Sequence, residues 1–269
     1  MSYPRRTVRD VREAVEVVAR PGYAVSVVEC ADDHTGWSPP EVSPAYRMVL
    51  VRRGRFRRRA GGVVADADRT VAYLAVPGDE ECFAHPAGGD TCTSVSFGSR
   101  LWSRLAGERP ARPVVYVDAE LELAHRRAVA SAADPDYALA EELLVLVGRA
   151  ITRAVTGTAR ADDRELVARA REAIGADDPA SGGLFPLAEA LGVSPYRLSR
   201  VFPRELGVSV TRYRNRVRVG RALDRLAAGE RELAVLAADL GFADQAHLTR
   251  TVREHTGATP GVMRRLLAN

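Results

Sequence analysis

The chain contains no lysine, so all 39 of its basic residues are arginine. Arginine grips phosphate through a planar fork and cannot lose its charge, although a codon bias toward arginine would leave the same record. Cysteine is scarce: three in 269 residues, with no CxxC pair. That excludes a disulfide framework and fits a reducing compartment. No run approaches the roughly 18 apolar residues of a membrane span. The opening MSYPRRTVRD lacks the apolar stretch of a signal peptide. A cytoplasmic location is therefore expected, with no membrane partner. What remains is 46% hydrophobic, ample for packed cores, and the length allows two domains.

Charge is spread unevenly. From Leu184 to the end there are 14 Arg against 8 Asp plus Glu, a net +6, while the rest of the chain carries −2 of the total +4. An acidic polymer would bind at the C-terminal third.

Residues 7–19 set Val8, Val11, Val15 and Val18 at three- and four-residue steps, which predicts an amphipathic helix closed by Pro21-Gly22. From Tyr23 to about Phe97 come short β-type runs, YAVSVVEC, YRMVLVRR, TVAYLAV and CTSVSF, parted by turns such as GWSPP, VPGDE and HPAGGD. This texture predicts an antiparallel sandwich or barrel. Two helices are expected over about 119–133 and 137–156. Leu139, Leu143, Leu146 and Ala150 form one stripe of the second, suited to an antiparallel helix pair or to a dimer contact. Thr156–Asp163 is small and polar and reads as the linker. The expected domains are 1–118, 119–160 and 161–269.

The last of these carries one unit twice. Leu187-Ala-x-x-Leu-Gly and Leu236-Ala-x-x-Leu-Gly each lead, through a turn one residue longer in the second copy, to Leu198-Ser-Arg200 and Leu248-Thr-Arg250, with Gly207 and Gly257 nine residues after each leucine. Ser194 before Pro195, and Asp244 before Gln245, are N-cap signals for the second helix of each copy. This is the sequence form of a helix-turn-helix, whose second helix enters the DNA major groove. A pair of ordinary helical hairpins would explain the apolar residues. It would not explain Tyr196, Arg197, Ser199, Arg200 and Arg204 on one outer face, and Gln245, His247, Thr249, Arg250 and Arg253 on the other, all suited to base edges and phosphates. Between the copies, Ser209–Gly229 predicts a helix of about five turns, or about 30 Å, able to hold two recognition helices one duplex turn apart.

Residues from about 164 to 269 resemble the DNA-binding domain of the AraC/XylS family of bacterial transcription regulators. The likeness rests on Leu-Gly-Phe-x-Asp…Leu-x-Arg in the second copy and on Gly257-Ala-Thr-Pro260…Arg264. It implies that Tyr196, Ser199 and Arg200, with Gln245, Ala246, His247, Thr249 and Arg250, lie against the groove. Arg200 and Arg250 suit guanine and Gln245 suits adenine. Two positions depart from the family. Pro203 stands inside the first recognition helix, where a kink or an early end is expected, and Val252 stands where Phe is usual.

The β-rich half resembles the cupin-like sensor domain often joined to this family, on Val51-Arg-Arg-Gly54 and Ala75-Val-Pro-Gly78. The expected fold is therefore α+β in two domains: an antiparallel cupin-like barrel with a helix pair, then an all-α domain with two helix-turn-helix units. The implied function is a sequence-specific regulator without enzymatic activity or cofactor. Its expected partners are double-stranded DNA, RNA polymerase, a small effector in the barrel and a second copy of itself.

The competing reading is a cupin-type metal-dependent enzyme with a nucleic-acid tether. His34 and His85, without close partners, are too few imidazoles for such a site. Cys30, Cys82, His85 and Cys92 could form a four-ligand thiolate and imidazole site for zinc or a soft metal. The plainer reading is ordinary buried thiols, since the tight spacing of zinc motifs is missing. Trp37, Tyr46, Tyr73 and Trp102 read as core or rim residues, or as contacts to an effector in a barrel pocket.

Overall fold

A computed structural model describes residues 12–31, 35–106, 114–153 and 161–267. Residues 7–11 of the expected first helix, His34, and residues 154–160 at the expected linker lie outside them. The chain divides into two compact units, Met1–Val117 with Ala124–Thr156, and Asp118–Leu123 with Gly157–Asn269.

The first unit opens with β1 (Arg12–Arg20), β2 (Tyr23–Cys30), β3 (Glu41–Val42), β4 (Tyr46–Arg53), β5 (Phe56–Ala60), β6 (Val63–Ala67), β7 (Val71–Ala75), β8 (Glu80–Ala84) and β9 (Asp90–Phe97). A short helix α1 (Ser99–Ala106) and β10 (Val114–Tyr116) follow. Every pairing among these strands is antiparallel, in one sheet ordered β1-β2-β9-β4-β7-β10 and another ordered β3-β8-β5-β6.

Residues 12–20 are thus a strand and not the helix their valine spacing predicts. Pro21-Gly22 makes a two-residue hairpin connection, pairing Arg20 with Tyr23 and running β1 back along β2 to Arg12 against Cys30. β-branched valines fit such an edge strand as well as they fit a helix face. Only Val18 is buried here, so no helical stripe of contacts competes with the ladder.

The alternation of a strand sends successive side chains to opposite faces, and β9 uses both. Thr93 and Val95 face α2 (Ala119–Ala130) and α3 (Ala138–Arg153), where Leu139, Leu143 and Leu146 pack beside Val25 and Val27. Leu139, Leu143, Leu146 and Ala150 are all buried within the chain, so the stripe serves the fold of its own protomer. His125 Nε2 meets Thr93 Oγ1 at 2.8 Å on this face. Asp90, Cys92 and Ser94 face the other way, into a cleft.

The second unit holds α4 (Ala161–Gly175), α5 (Leu184–Ala190), α6 (Pro195–Leu206), α7 (Val210–Ala227), α8 (Leu233–Asp239), α9 (Gln245–Thr256) and α10 (Pro260–Leu267). α7 begins at the N-cap Ser209, whose Oγ accepts from the Arg212 N–H at 3.2 Å. At 18 residues it spans about 27 Å. Val219, Ala222, Leu223 and Leu226 of α7 form one core with Leu236, Phe242, Leu248, Val252 and Met263.

Candidate nucleic-acid interface and N-terminal cleft

Each repeated unit folds as two helices joined by a tight turn. In the first, α5 meets a turn whose Gly192 has φ +69°, and the side chain of Ser194 accepts from the Arg197 N–H at 3.1 Å to start α6. In the second, α8 meets a turn whose Gly241 has φ +70°, and the Asp244 carboxylate accepts from the His247 N–H at 2.6 Å to start α9. These caps satisfy amide donors that a helix start leaves open. Both second helices end at a left-handed glycine, Gly207 or Gly257, whose N–H donates to the carbonyl of Pro203 or Arg253.

Pro203 neither ends nor shortens α6, which runs on to Leu206. The proline removes one amide bond, back toward the exposed Ser199, whose carbonyl can turn to water instead.

The inner positions are spent on packing. Leu198 and Leu248 are fully buried at matching places, as are Phe202 and Val252. The outer positions carry the expected candidates. Tyr196, Arg197, Ser199, Arg200 and Arg204 are exposed, as are Gln245, Ala246, Arg250 and Arg253, while His247 and Thr249 are half-buried.

Not all of them are uncommitted. Arg197 reaches Asp163 of α4 at 3.3 Å, and Ser199 Oγ donates to the Tyr196 carbonyl at 2.9 Å. His247 Nδ1 accepts from the Ala243 N–H at 3.3 Å, and its ring lies edge-on to Phe242 at 5.4 Å, so this imidazole helps shape the second turn. Arg218 of α7 lies over the Phe242 ring at 5.6 Å, and its guanidinium would have to shift for a side chain at Gly241. Among the described residues, Arg200, Arg204, Arg250 and Arg253 make no ion pair, which leaves four guanidinium groups for an outside anion.

In the first unit, a cleft of about 690 Å³, open mouth included, lies between the two sheets. Val49, Phe56, Tyr73 and Phe83 give it an apolar wall. Behind them runs a buried charge network. Glu81, fully buried, accepts from Arg58 Nε at 2.6 Å and also from Arg47. The Arg58 guanidinium lies 4.6 Å from the centre of the Tyr73 ring. The other expected aromatics are structural: Tyr46 stacks on Trp102 at 4.9 Å, and Trp37 lies beneath Arg59 at 4.8 Å.

The polar end of the cleft gathers Cys30, His85, Asp90 and Cys92. Cys30 Sγ stands 4.0 Å from His85 Nδ1, and His85 Nε2 stands 2.9 Å from Asp90 Oδ1. The Cys92 thiol donates to Asp90 Oδ2 at 2.8 Å. Burial alone would lower the His85 pKa, but the hydrogen bond to Asp90 and the nearby Cys30 outweigh it and lift the value to about 9. Burial, with the Asp90 charge, pushes the Cys92 thiol up.

Cys82, expected with this group, is not part of it. On β8 the cleft takes Phe83, while Cys82 faces away and meets Arg59 at 3.6 Å. Asp90 takes the place given to Cys82. The strand register sets it directly opposite Cys30, a pairing that no local spacing reveals.

Two capped helix-turn-helix units, each with an outward-facing pair of uncommitted arginines, define the second unit as a DNA-binding domain of the duplicated helix-turn-helix class. A family model described as "Helix-turn-helix domain" matches residues 187–266. Over 78 residues the chain is 33% identical to the Arabinose operon regulatory protein of Salmonella typhimurium, covering 29% of this chain and 28% of that protein. The protein of the same name from Escherichia coli K12 matches at 33% identity, with 29% and 27% covered. The chain thus spans under a third of the length of these relatives. Among solved structures, the C-terminal domain of AraT, a response regulator from Geobacillus stearothermophilus, is 29% identical over 38% of this chain and 84% of that one, with a TM-score of 0.35. ToxT from Vibrio cholerae, bound to an unsaturated fatty acid, is 11% identical over 93% and 97%, with a TM-score of 0.37. The C-terminal segment is a helix-turn-helix domain and is similar over that stretch to the arabinose operon regulators.

Proposed function

We propose that the whole chain is a transcription regulator that binds a specific double-stranded operator through α6 and α9 and answers to a small ligand in the N-terminal cleft. The observation that carries this reading is the duplication itself: two recognition helices of the same build, flanking one continuous helix, α7. Two units in one chain do what a symmetric dimer of single-unit proteins does, engaging successive major grooves about one turn, or roughly 34 Å, apart. Arg200 and Arg250 read bases, Arg204 and Arg253 hold phosphates, and Gln245 suits adenine.

The protein acts without catalysis, in the cytoplasm, with RNA polymerase as its eventual partner. It pairs with a second copy through exposed surface such as Leu144 and Val145 of α3, because the leucine stripe is already used. Among the described residues, no helix is long and apolar enough to cross a membrane.

Footprinting on DNA selected from a random pool tests the reading. Two protected major-groove segments with centres about 10–10.5 base pairs apart are expected from one protomer. A single segment, or binding that ignores sequence, would remove the proposal.

A further inference from the structure

We propose that Cys30, His85, Asp90 and Cys92 form a binding site for one thiophilic divalent cation of the zinc type at the polar end of the cleft. The proposal names the chemistry of a ligand for that cleft, and for its regulatory consequence it rests on the cleft being the effector site.

The geometry carries it. The ligand atoms of Cys30, His85 and Asp90 lie within 4.8 Å of one another and make the core of the site; Cys92 stands outside that three-residue group and joins it by turning from the second Asp90 oxygen, 2.8 Å from its Sγ, toward the ion. Around tetrahedral zinc, sulfur sits at about 2.3 Å and nitrogen or oxygen at about 2.0–2.1 Å, which puts neighbouring donors roughly 3.3–3.8 Å apart. Cys30 faces His85 Nδ1 at 4.0 Å and Asp90 holds the opposite nitrogen, Nε2, at 2.9 Å, so an ion taken by Nδ1 needs the Cys30 edge to close by a few tenths of an ångström and the Asp90 carboxylate to turn from Nε2 to the ion.

Donor type points the same way. Two sulfurs, an imidazole and one carboxylate suit zinc and disfavour magnesium or calcium, which take oxygen alone. Binding would release both thiol protons and the proton on the His85 nitrogen that takes the ion, and would place two thiolates, a neutral imidazole and a carboxylate around a double positive charge.

The frame is built closely around these donors. Cys30 pairs directly with Asp90 across β2 and β9, and Val28 with Cys92, so three of the four groups belong to one short stretch of ladder. Gly89 lies so near this stretch that a side-chain carbon there would stand 2.2 Å from the Cys30 carbonyl oxygen. The His85 and Asp90 side chains are 9% and 4% exposed. Burying the ionisable His85–Asp90 pair on a cleft wall is costly for a fold that needs only packing there.

The full chain, stripped of metal with a chelator, is titrated with Co²⁺ and then with Zn²⁺. One equivalent of Co²⁺ should give the sulfur-to-cobalt charge-transfer band and strong visible bands of a tetrahedral thiolate site, and one equivalent of Zn²⁺ should bleach both. Cys30→Ser and Cys92→Ser should each diminish the charge-transfer band and weaken binding at least about tenfold. Cys82→Ser should match the parent in both. Asp90→Asn, close to the parent in shape, supplies a variant that keeps every sulfur, and it too should bind more weakly. Circular dichroism confirms that each variant is folded.

A missing charge-transfer band, less than one equivalent bound, or an equal loss in Cys82→Ser would overturn the site. So would alkylation of Cys30 by iodoacetamide at a rate that Zn²⁺ leaves unchanged, which would make Cys30 a simple reactive thiol. A gel shift on the same preparations separates the two readings. Intact operator binding without ion binding sinks the ion site alone. Bound ion with operator affinity unchanged leaves the ion site standing and sinks the effector role of the cleft.

Discussion

The ring of Phe202 in α6 meets the ring of Tyr213 in α7 edge to face, with centroids 5.3 Å apart and planes at 67°. Both are almost wholly buried, so the first recognition helix is pinned to the long helix by one aromatic contact. Phe202→Ala should cost about 3–5 kcal/mol of domain stability. Tyr213→Phe keeps the ring pair and should cost far less. Urea unfolding of both variants checks the contrast, and equal losses would mean that the contact is not the anchor.

Arg200 and Arg250 are exposed on α6 and α9, and the proposed function gives them the base edges. Arg200→Ala and Arg250→Ala should each weaken binding to the specific site by about 1–3 kcal/mol and relax preference at one or two base pairs. Competition binding on single-base operator variants measures this. A uniform loss on all sequences would make them phosphate contacts.

The spacing of the two units should be rigid on the scale of a duplex turn. Inserting about five base pairs between the protected segments moves the second groove to the far side of the DNA. A continuous helix cannot follow, so footprinting should lose one segment. Equal protection of both would show that α7 bends.

Glu81 joins Arg47 and Arg58 inside the first unit, with Arg58 2% exposed and Glu81 fully buried. Glu81→Gln removes the charge that meets both guanidinium groups, leaving Arg58 its longer pair with Asp79 at 3.4 Å, and should destabilise the unit by about 3–5 kcal/mol. Calorimetry should record a lower melting temperature for the N-terminal unit with the helix-turn-helix transition unmoved.

Gly89→Ala would press a methyl group against the backbone of Cys30. A cost of about 1–3 kcal/mol is expected from such overpacking, read in the same calorimetric transition. Gly88, which has φ +87° and open space around it, marks the contrast: there alanine is penalised by backbone strain and not by collision.

The helical unit was largely legible because its signals are local. Caps, turn glycines and three- or four-residue apolar spacing all act within a dozen residues, and Ser194, Asp244, Gly207 and Gly257 stand where those rules place them. The β-rich unit was legible in texture only. The valines of β1 satisfy a helical period by coincidence, and what decides between strand and helix is the partner strand β2, which lies across a turn. Cys82 lies outside the cleft for a related reason. Cys82 and His85 are three positions apart, a spacing that suits a helix face but puts two side chains on opposite sides of an extended chain. The opposition of Cys30 and Asp90 is a matter of register between distant strands.

The repeat is longer than its two helices. Gly207-Val-Ser209 leads into α7 as Gly257-Ala-Thr259 leads into α10, and the buried Tyr213 and Met263 fall at matching places. α7 is therefore the third helix of the first copy, prolonged until its far end carries Val219, Leu223 and Leu226 into the core of the second. A fragment that stops after α7 would bare that far end to water, and one that starts after α7 would lack a wall. The two halves share one helix, with each end in a different core, so they should melt as one cooperative body, and neither can be inherited, excised or swapped without the helix they hold in common.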